Sequence, residues 1–131
     1  MNGVRYDIDC GSGKPSAVSA MQQFSTGATR STEGDKLDPE GFLSPAVIRR
    51  YSEYLHKHRV QADGQKRDSD NWTRGIPRRA YMKSMWRHFL AVWSIHRGLK
   101  IEEDQEEALC AVIFNAMGYL HEVLLGRDTS K

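Results

Sequence analysis

The sequence predicts an all-α protein, a bundle of three to four helices preceded by a long, partly irregular N-terminal arm. In residues 44–59, 79–97 and 103–125, apolar side chains recur at the spacing of amphipathic helices. The stretches between them are rich in Gly, Asp and Pro, which is typical of turns. The apolar faces of the helices are too broad for a monomer, so we expect oligomerisation with identical subunits to complete the bundle.

Length and composition agree with a single globular domain. The chain has 131 residues, of which 39% are hydrophobic, and its formal net charge is +2. A chain of this length can bury a substantial core, and its near-balanced charge gives no strong signal for nucleic-acid binding. We place the flexible arm at residues 1–25 and the helical domain at residues 26–131.

Membrane and cysteine signals point to a soluble protein of the cytoplasm. No apolar run approaches the ~20 residues that span a bilayer, and the N-terminus lacks the apolar segment of a signal peptide. Cys10 and Cys110 lie far apart and form no Cys-x-x-Cys pair, which argues against a thiolate zinc site. We expect reduced thiols and a cytoplasmic location.

The first long helix is predicted to begin at Ser44-Pro45 and to end near Arg59. Serine is a favoured N-cap, and proline at the first helical position loses no needed hydrogen bond. Residues 1–30 show no helical or strand period, and residues 25–44 are typical of a loop. The apolar face of this helix contains Val47, Ile48, Tyr51, Tyr54, Leu55 and His58. The opposite face carries Arg49, Glu53 and Lys57 at spacings of four, so we expect these three to pair.

A turn-rich loop over residues 61–77 leads to two further helices. Its apolar content is Trp72 and Ile76, and a long loop inside a compact domain is more often functional than spare. The second helix is predicted over residues 79–97 and the third over residues 103–125, each followed by a glycine. The apolar stripe of the second helix contains Tyr81, Met85, His88, Phe89, Val92 and Ile95. In the third helix Leu109, Val112, Ile113, Ala116, Leu120 and Val123 form the predicted apolar face, and Glu107, Ala111, Asn115, Gly118 and Glu122 a narrow polar stripe.

His88 and Arg87 are candidate site residues on the second helix. His88 falls within an apolar stripe, where it either faces a ligand or metal in the bundle core or is a buried neutral imidazole with one internal hydrogen bond. Arg87 has the planar fork that matches phosphate oxygens. A surface ion pair with an acid on another helix is the better explanation of Arg87 from its residue type alone.

Acidic residues and one asparagine are the candidates at the third helix. Carboxylates three apart share a helix face, and hard cations such as Mg²⁺ take oxygen ligands, whereas acids in a first turn also complement the helix dipole without a metal. Glu107 is the stronger functional candidate because it continues the polar stripe. Asn115 is unusual within a helix, and contact with a ligand and an interhelical hydrogen bond are equally good explanations.

Several short motifs together resemble a known family. They are residues 26–30 (Thr-Gly-Ala-Thr-Arg), residues 34–38 (Gly-Asp-Lys-Leu-Asp), residues 70–72 (Asp-Asn-Trp), residues 75–77 (Gly-Ile-Pro), Arg87-His88, and Glu103 twelve residues before Asn115. Their order and spacing over residues 26–125 resemble a phage family, the dATP/dGTP diphosphohydrolase N-terminal domain. That family is similar to MazG-type all-α pyrophosphohydrolases, and one branch serves phages that replace adenine with 2-aminoadenine in their DNA.

The resemblance implies hydrolysis of dGTP or dATP to the monophosphate and pyrophosphate, with Mg²⁺ or Mn²⁺, in the cytoplasm of a phage-infected host. MazG-type enzymes carry Glu-x-x-Glu and Glu-x-x-Asp on successive helices. The second helix here has no acidic pair, and Cys110 or Ala111 stands where the aspartate is expected. Many family members also have histidines where this chain has Ala108 and Ala111.

The leading hypothesis is therefore a purine deoxynucleoside triphosphate (dNTP) pyrophosphohydrolase acting as a homo-oligomer. The expected metal ligands are Glu103 and Glu107, and the expected catalytic groups are His88 and Glu107. The expected substrate-binding residues are Arg30, Lys36 and Arg87 for the phosphates, Asn71 and Trp72 for the base, and Asn115. The alternatives are a non-catalytic nucleotide-binding or anti-defence phage protein and a structural helical domain that assembles through its arm.

Overall fold

The computed structural model describes residues 21–31 and 36–129, and the chain divides into two compact units, residues 1–39 and 40–131. The first unit contains a two-stranded sheet and the second contains the long helices. The described chain is mostly helical, which confirms the predicted all-α class. The elements in chain order are β1 (Met21–Gln23), β2 (Thr29–Ser31), α1 (Pro39–Phe42), α2 (Pro45–Lys57), a 3₁₀ helix (Asn71–Arg74), α3 (Arg78–His96) and α4 (Gln105–Leu124).

The two short strands form an antiparallel hairpin in the N-terminal unit. Their register runs from Met21 opposite Ser31 to Gln23 opposite Thr29. The turn between them uses Gly27 at φ 87°, a conformation that glycine adopts without steric cost. Residues 26–30, the family-like motif that contains the predicted phosphate contact Arg30, therefore form this turn and most of β2.

The structure corrects two boundaries of the N-terminal prediction. The hairpin crosses the boundary placed between residues 25 and 26, so β1 belongs to the segment predicted as a flexible arm. The loop predicted over residues 25–44 contains β2 and the one-turn helix α1. The rest of the predicted arm, residues 1–20, lies outside the described residues.

Helix α2 begins where its capping residues predict. The Oγ of Ser44 accepts the backbone N–H of Val47 at 3.3 Å, and Pro45 is the first helical residue. The helix ends at Lys57. The chain then makes a tight turn that is closed by an isolated antiparallel bridge between Val60 and Lys66.

Helices α3 and α4 run antiparallel and form the most extensive helix pair in the described chain. Arg78 at the start of α3 donates to the Glu122 carbonyl near the end of α4, whereas His88 in mid-α3 contacts Glu103 just before α4. Asp104 caps α4 by accepting the Glu107 N–H at 3.1 Å. Glu103 therefore precedes α4. The sequence instead predicts a helix that begins at residue 103, with Glu103 in its first turn.

The face of α4 that packs against its neighbours is the opposite of the predicted one. The predicted polar stripe is buried, and the side chain of Tyr81 from α3 lies against Gly118. A Cβ at Gly118 would lie 2.3 Å from the Tyr81 ring, so only glycine permits this approach. The buried residues of α4 are Ala108, Cys110, Ala111, Asn115, Gly118 and Glu122. Small side chains allow close packing here, and the larger aliphatic ones point outward.

The outward faces of the helices carry many large apolar side chains. Trp86 is 65% exposed and Trp93 is 51% exposed, so these two side chains of α3 are not covered by the described chain. On α3 and α4 the exposed large apolar residues are Met82, Trp86, Phe89, Leu90, Trp93, Leu109, Ile113, Leu120, Val123 and Leu124. Trp86, Phe89, Leu90 and Trp93 lie within two turns of α3, and an exposed apolar patch of this kind is unusual for a monomer.

None of the helices within the described residues is both long enough and apolar enough to cross a membrane.

Candidate functional site

His88 and Glu103 form a hydrogen-bonded pair between α3 and the segment before α4. The Nδ1 of His88 lies 2.7 Å from Oε1 of Glu103, and both side chains are partly buried. An Arg87 guanidinium nitrogen lies 3.5 Å from Nε2 of the same ring. Since Glu103 accepts and Arg87 donates, the contacts favour an imidazole that carries its hydrogen on Nδ1 and presents a lone pair at Nε2. The structure thus brings three predicted site residues together.

Glu107 on α4 is contacted by three basic side chains that lie in α2 or directly after it. Its carboxylate contacts the Lys57 ammonium at 2.6 Å, the Arg50 guanidinium at 3.3 Å and Nε2 of His58 at 3.6 Å. The Lys57 hydrogen bond is the main cause that lowers the Glu107 pKa, and Arg50 and His58 lower it further. The carboxylate is therefore a weak proton acceptor that stays ionised. It is better suited to bind a cation than to act as a general base.

The salt bridges of α2 differ from those predicted. Glu53 pairs with Arg49 as expected, at 3.3 Å. Lys57 was expected to join that pair, but its ammonium reaches across to Glu107 on α4. The Glu107 carboxylate is the more buried of the two acids, so its pairing with Lys57 is less screened by water.

Tyr54 connects the two groups of charged residues. Burial raises the pKa of the Tyr54 hydroxyl, the negative charges of Glu107 and Glu103 raise it further, and the positive charge of Arg87 lowers it. All three charges therefore act on one hydroxyl. The Tyr54 ring also packs against the His58 ring, with the centroids 4.3 Å apart. The sequence marks Tyr54 only as one more residue of the apolar face of α2.

A cavity of about 160 Å³ lies next to the Glu107 cluster, that is, Glu107 with Arg50, Lys57 and His58. Two predicted base-binding residues line this cavity. Trp72 and Asn71 both belong to the 3₁₀ helix, and His58 is shared between the cavity and the Glu107 cluster. The full lining is Leu55, His58, Arg59, Arg67, Asp68, Ser69, Asn71, Trp72, Ile76 and Phe114. Apolar walls with a few polar and cationic groups at the edge are typical of small-molecule sites.

The 3₁₀ helix is held in place from the end of α4. Arg127 donates to the Thr73 carbonyl at 2.7 Å and to the Glu122 carboxylate at 2.5 and 3.1 Å. The Glu122 side chain is fully buried, and the Arg127 hydrogen bond is the main cause that lowers its pKa. Trp72 also meets the His121 ring edge-on, with centroids 4.6 Å apart. Contacts distant in sequence thus fix the wall of the cavity.

Asn115 bonds within its own helix, and two further predicted site residues belong to the N-terminal unit. Asn115 is 5% exposed, and its amide donates to the Ala111 carbonyl one turn earlier at 2.7 Å. It is not among the residues that line the cavity. Arg30 and Lys36 belong to the N-terminal unit, where Lys36 donates to the Ser31 hydroxyl at 2.8 Å.

The part of one chain that the structure describes does not by itself compose a metal centre. Within residues 21–31 and 36–129, no three His, Cys, Asp or Glu side chains are grouped closely enough to hold an ion. Glu103 is bonded to His88, and Glu107 is bonded to cationic groups. Cys110 is a buried thiol whose pKa is raised by burial, so it is not a ready thiolate ligand.

Comparison of this chain with protein-family models, with curated proteins and with solved structures finds no match.

Proposed function

We propose that this chain is a purine dNTP pyrophosphohydrolase that releases the monophosphate and pyrophosphate. The observation that carries the proposal is the cavity lined by Trp72 and Asn71, which adjoins the charged cluster of Glu107 through His58. An aromatic side chain can stack on any base, and guanidinium groups bind phosphate oxygens. The purine preference and the setting in phage-infected cytoplasm follow from the sequence resemblance.

His88 is the candidate general base. Its Nδ1–H is held by Glu103, and its Nε2 lone pair, which faces the Arg87 guanidinium at 3.5 Å, accepts the proton once Arg87 turns to the phosphate oxygens. In the reaction, a water oxygen bonds to the α-phosphorus while the P–O bond to the β-phosphate breaks, and pyrophosphate leaves. The proton released by the water passes to Nε2 of His88. Arg87, next to this atom, has further N–H groups for the phosphate oxygens.

Mg²⁺ or Mn²⁺ belongs to the proposal through the resemblance, with Glu103 and Glu107 as its candidate ligands. A depressed pKa keeps Glu107 deprotonated, as a metal ligand must be. Such an ion would neutralise charge on the triphosphate. The described residues of one chain offer too few grouped donors to hold the ion alone, and the roles of His88 and Arg87 do not depend on it.

We also propose that the chain is a homo-oligomer, formed through the exposed apolar faces of α3 and α4. The ridge of Trp86, Phe89 and Trp93 supports this, because covering such aromatic surface is strongly favourable. Light scattering on the purified chain tests the proposal: a mass above that of one chain supports it, and a stable monomer at micromolar concentration contradicts it.

The test of the activity is turnover. The purified chain is incubated with each dNTP and Mg²⁺ or Mn²⁺, and the release of pyrophosphate and monophosphate is followed. The variant His88→Gln should lose about 100-fold or more in kcat, since a positioned general base contributes about 10²–10⁴-fold. His96→Gln is the matched control, because this exposed histidine lies at the end of the same helix. Turnover unchanged in His88→Gln contradicts the assigned role.

A non-catalytic nucleotide-binding protein, such as an anti-defence factor, is the second candidate. It is favoured by the pairing of Glu103 and Glu107 with basic groups, since phosphate binding needs cations but no grouped carboxylates. Tight dNTP binding in calorimetry with no turnover of any dNTP would establish this alternative. If the wild type, Glu103→Ala and Glu107→Ala all hydrolyse a dNTP at the same rate, the chain is a hydrolase. These two carboxylates then take no part in its reaction.

A further inference from the structure

The turn between α2 and the 3₁₀ helix brings two arginines to the edge of the cavity. The Arg67 N–H donates to the Arg59 carbonyl at 2.9 Å, so the two residues lie opposite each other where the turn closes. Both side chains line the cavity together with Trp72. Neither arginine is among the candidate residues that the sequence predicts.

Each guanidinium is fixed in place by a backbone carbonyl. Nε of Arg59 donates to the Arg67 carbonyl at 2.9 Å, and an Arg67 terminal nitrogen donates to the His58 carbonyl at 2.7 Å. These acceptors are neutral, so they orient the groups without cancelling their charge. A guanidinium has five N–H donors, and each of these bonds occupies only one of them.

Arg59 and Arg67 differ from three other arginines of the helical unit in whether a carboxylate pairs with their positive charge. Arg49, Arg50 and Arg127 each form a salt bridge with a glutamate. In the part of the chain that the structure describes, no carboxylate forms a salt bridge with Arg59 or Arg67. The lining of the cavity therefore has two oriented positive charges beside an aromatic wall, and Asp68 is its one acidic residue.

We infer that Arg59 and Arg67 form the phosphate-binding subsite of the cavity, with the base placed against Trp72. The cavity volume of about 160 Å³ is below the roughly 300–1,000 Å³ of sites that enclose a drug-sized ligand, so it encloses one part of a nucleotide. The apolar wall fits the base, and the guanidinium groups at the edge fit the phosphates outside it. The inference rests on the proposed nucleotide ligand and names the residues that hold its charged end.

Calorimetry with two probes tests the inference. The first probe is the α,β-methylene analogue of dGTP in Mg²⁺, which cannot be cleaved between the α- and β-phosphates, and the second is deoxyguanosine. The double variant Arg59→Gln, Arg67→Gln should bind the analogue at least tenfold more weakly, because each lost guanidinium removes charge-assisted hydrogen bonds. Its affinity for deoxyguanosine should change less than threefold. Arg49→Gln, the control, should bind both probes like the wild type.

The outcomes separate this inference from the proposed function. If the wild type binds neither probe, the proposed function fails. If the wild type binds the analogue and the double variant binds it equally well, the arginines only brace the turn and the inference is overturned. Should the double variant fail to fold by circular dichroism, Arg67→Gln alone decides, since Arg67 is exposed. Unchanged analogue affinity in this folded single variant also overturns the inference.

Discussion

Two glutamates on the same helix, Glu122 and Glu107, show how differently one kind of ion pair can be used. Both have a lowered pKa because a basic side chain donates to them. Glu122 is fully buried and is neutralised by Arg127, which also holds the carbonyl of Thr73. Glu107 is 26% exposed and is contacted by the Lys57 and Arg50 side chains of α2. The first pair joins structural elements, whereas the second remains partly exposed to solvent.

The largest effect that we expect comes from removing the partner of the buried glutamate. Arg127→Met should lower the free energy of unfolding by about 3–5 kcal/mol, since it leaves a buried carboxylate uncompensated. Urea unfolding measures this change. Arg49→Met is the control, because its salt bridge with Glu53 is solvent-exposed and is worth at most about 1 kcal/mol. An Arg127→Met chain as stable as the control would show that the Glu122 pair does not join the elements.

The second prediction tests the close packing near Glu122. Gly118→Ala would place a Cβ 2.3 Å from the Tyr81 ring, and Tyr81 is 1% exposed, so its ring has no free space into which to move. We expect a loss of about 1–3 kcal/mol in thermal unfolding, which is typical of overpacking, although alanine alone would favour the helix. The double variant Gly118→Ala, Tyr81→Leu should be less affected than additivity of the two single changes predicts. A Gly118→Ala chain more stable than the wild type contradicts this packing.

The helix boundaries could be predicted because they depend on neighbouring residues in the chain. Ser44 and Pro45 start α2 as expected, and α3 and α4 are each followed by a glycine at positive φ, Gly98 and Gly126. The buried face of α4 could not be predicted in the same way. Whether a small residue such as Gly118 lies inside depends on how closely Tyr81 approaches, which is a property of the packed pair of helices.

The candidate site was predictable in its residue types but not in its pairings. His88 and Glu103 were both selected from the sequence, yet their hydrogen bond joins residues that only the α3–α4 packing brings together. Lys57 has an acid at a helical spacing, Glu53, and bonds Glu107 on another helix instead. Arg59 and Arg67 bond to backbone carbonyls across a turn, and such bonds leave no pattern in the sequence.

The third prediction concerns the exposed member of the comparison. Glu107→Gln should change the free energy of unfolding by no more than about 1 kcal/mol, because a partly exposed ion pair adds little to stability. Under the proposed function it should nevertheless reduce turnover about tenfold or more, whereas Glu53→Gln should leave turnover unchanged. Urea unfolding and pyrophosphate release measured on the same samples check both parts. A Glu107→Gln chain that loses as much stability as Arg127→Met would show that both glutamates are structural.

The smallest expected effect is the pH dependence of the Glu107 contribution. A carboxyl whose pKa is lower in the folded chain binds fewer protons there than in the unfolded chain, so its stabilising effect is complete above the unfolded pKa of about 4.3. That effect disappears as the pH falls through the lower, folded value. The difference in free energy of unfolding between the wild type and Glu107→Gln should therefore be largest near pH 7 and should shrink towards zero on acidification to about pH 3. A difference that grows as the pH falls would mean that the folded chain stabilises the protonated form of Glu107. That result would contradict the lowered pKa of this carboxyl.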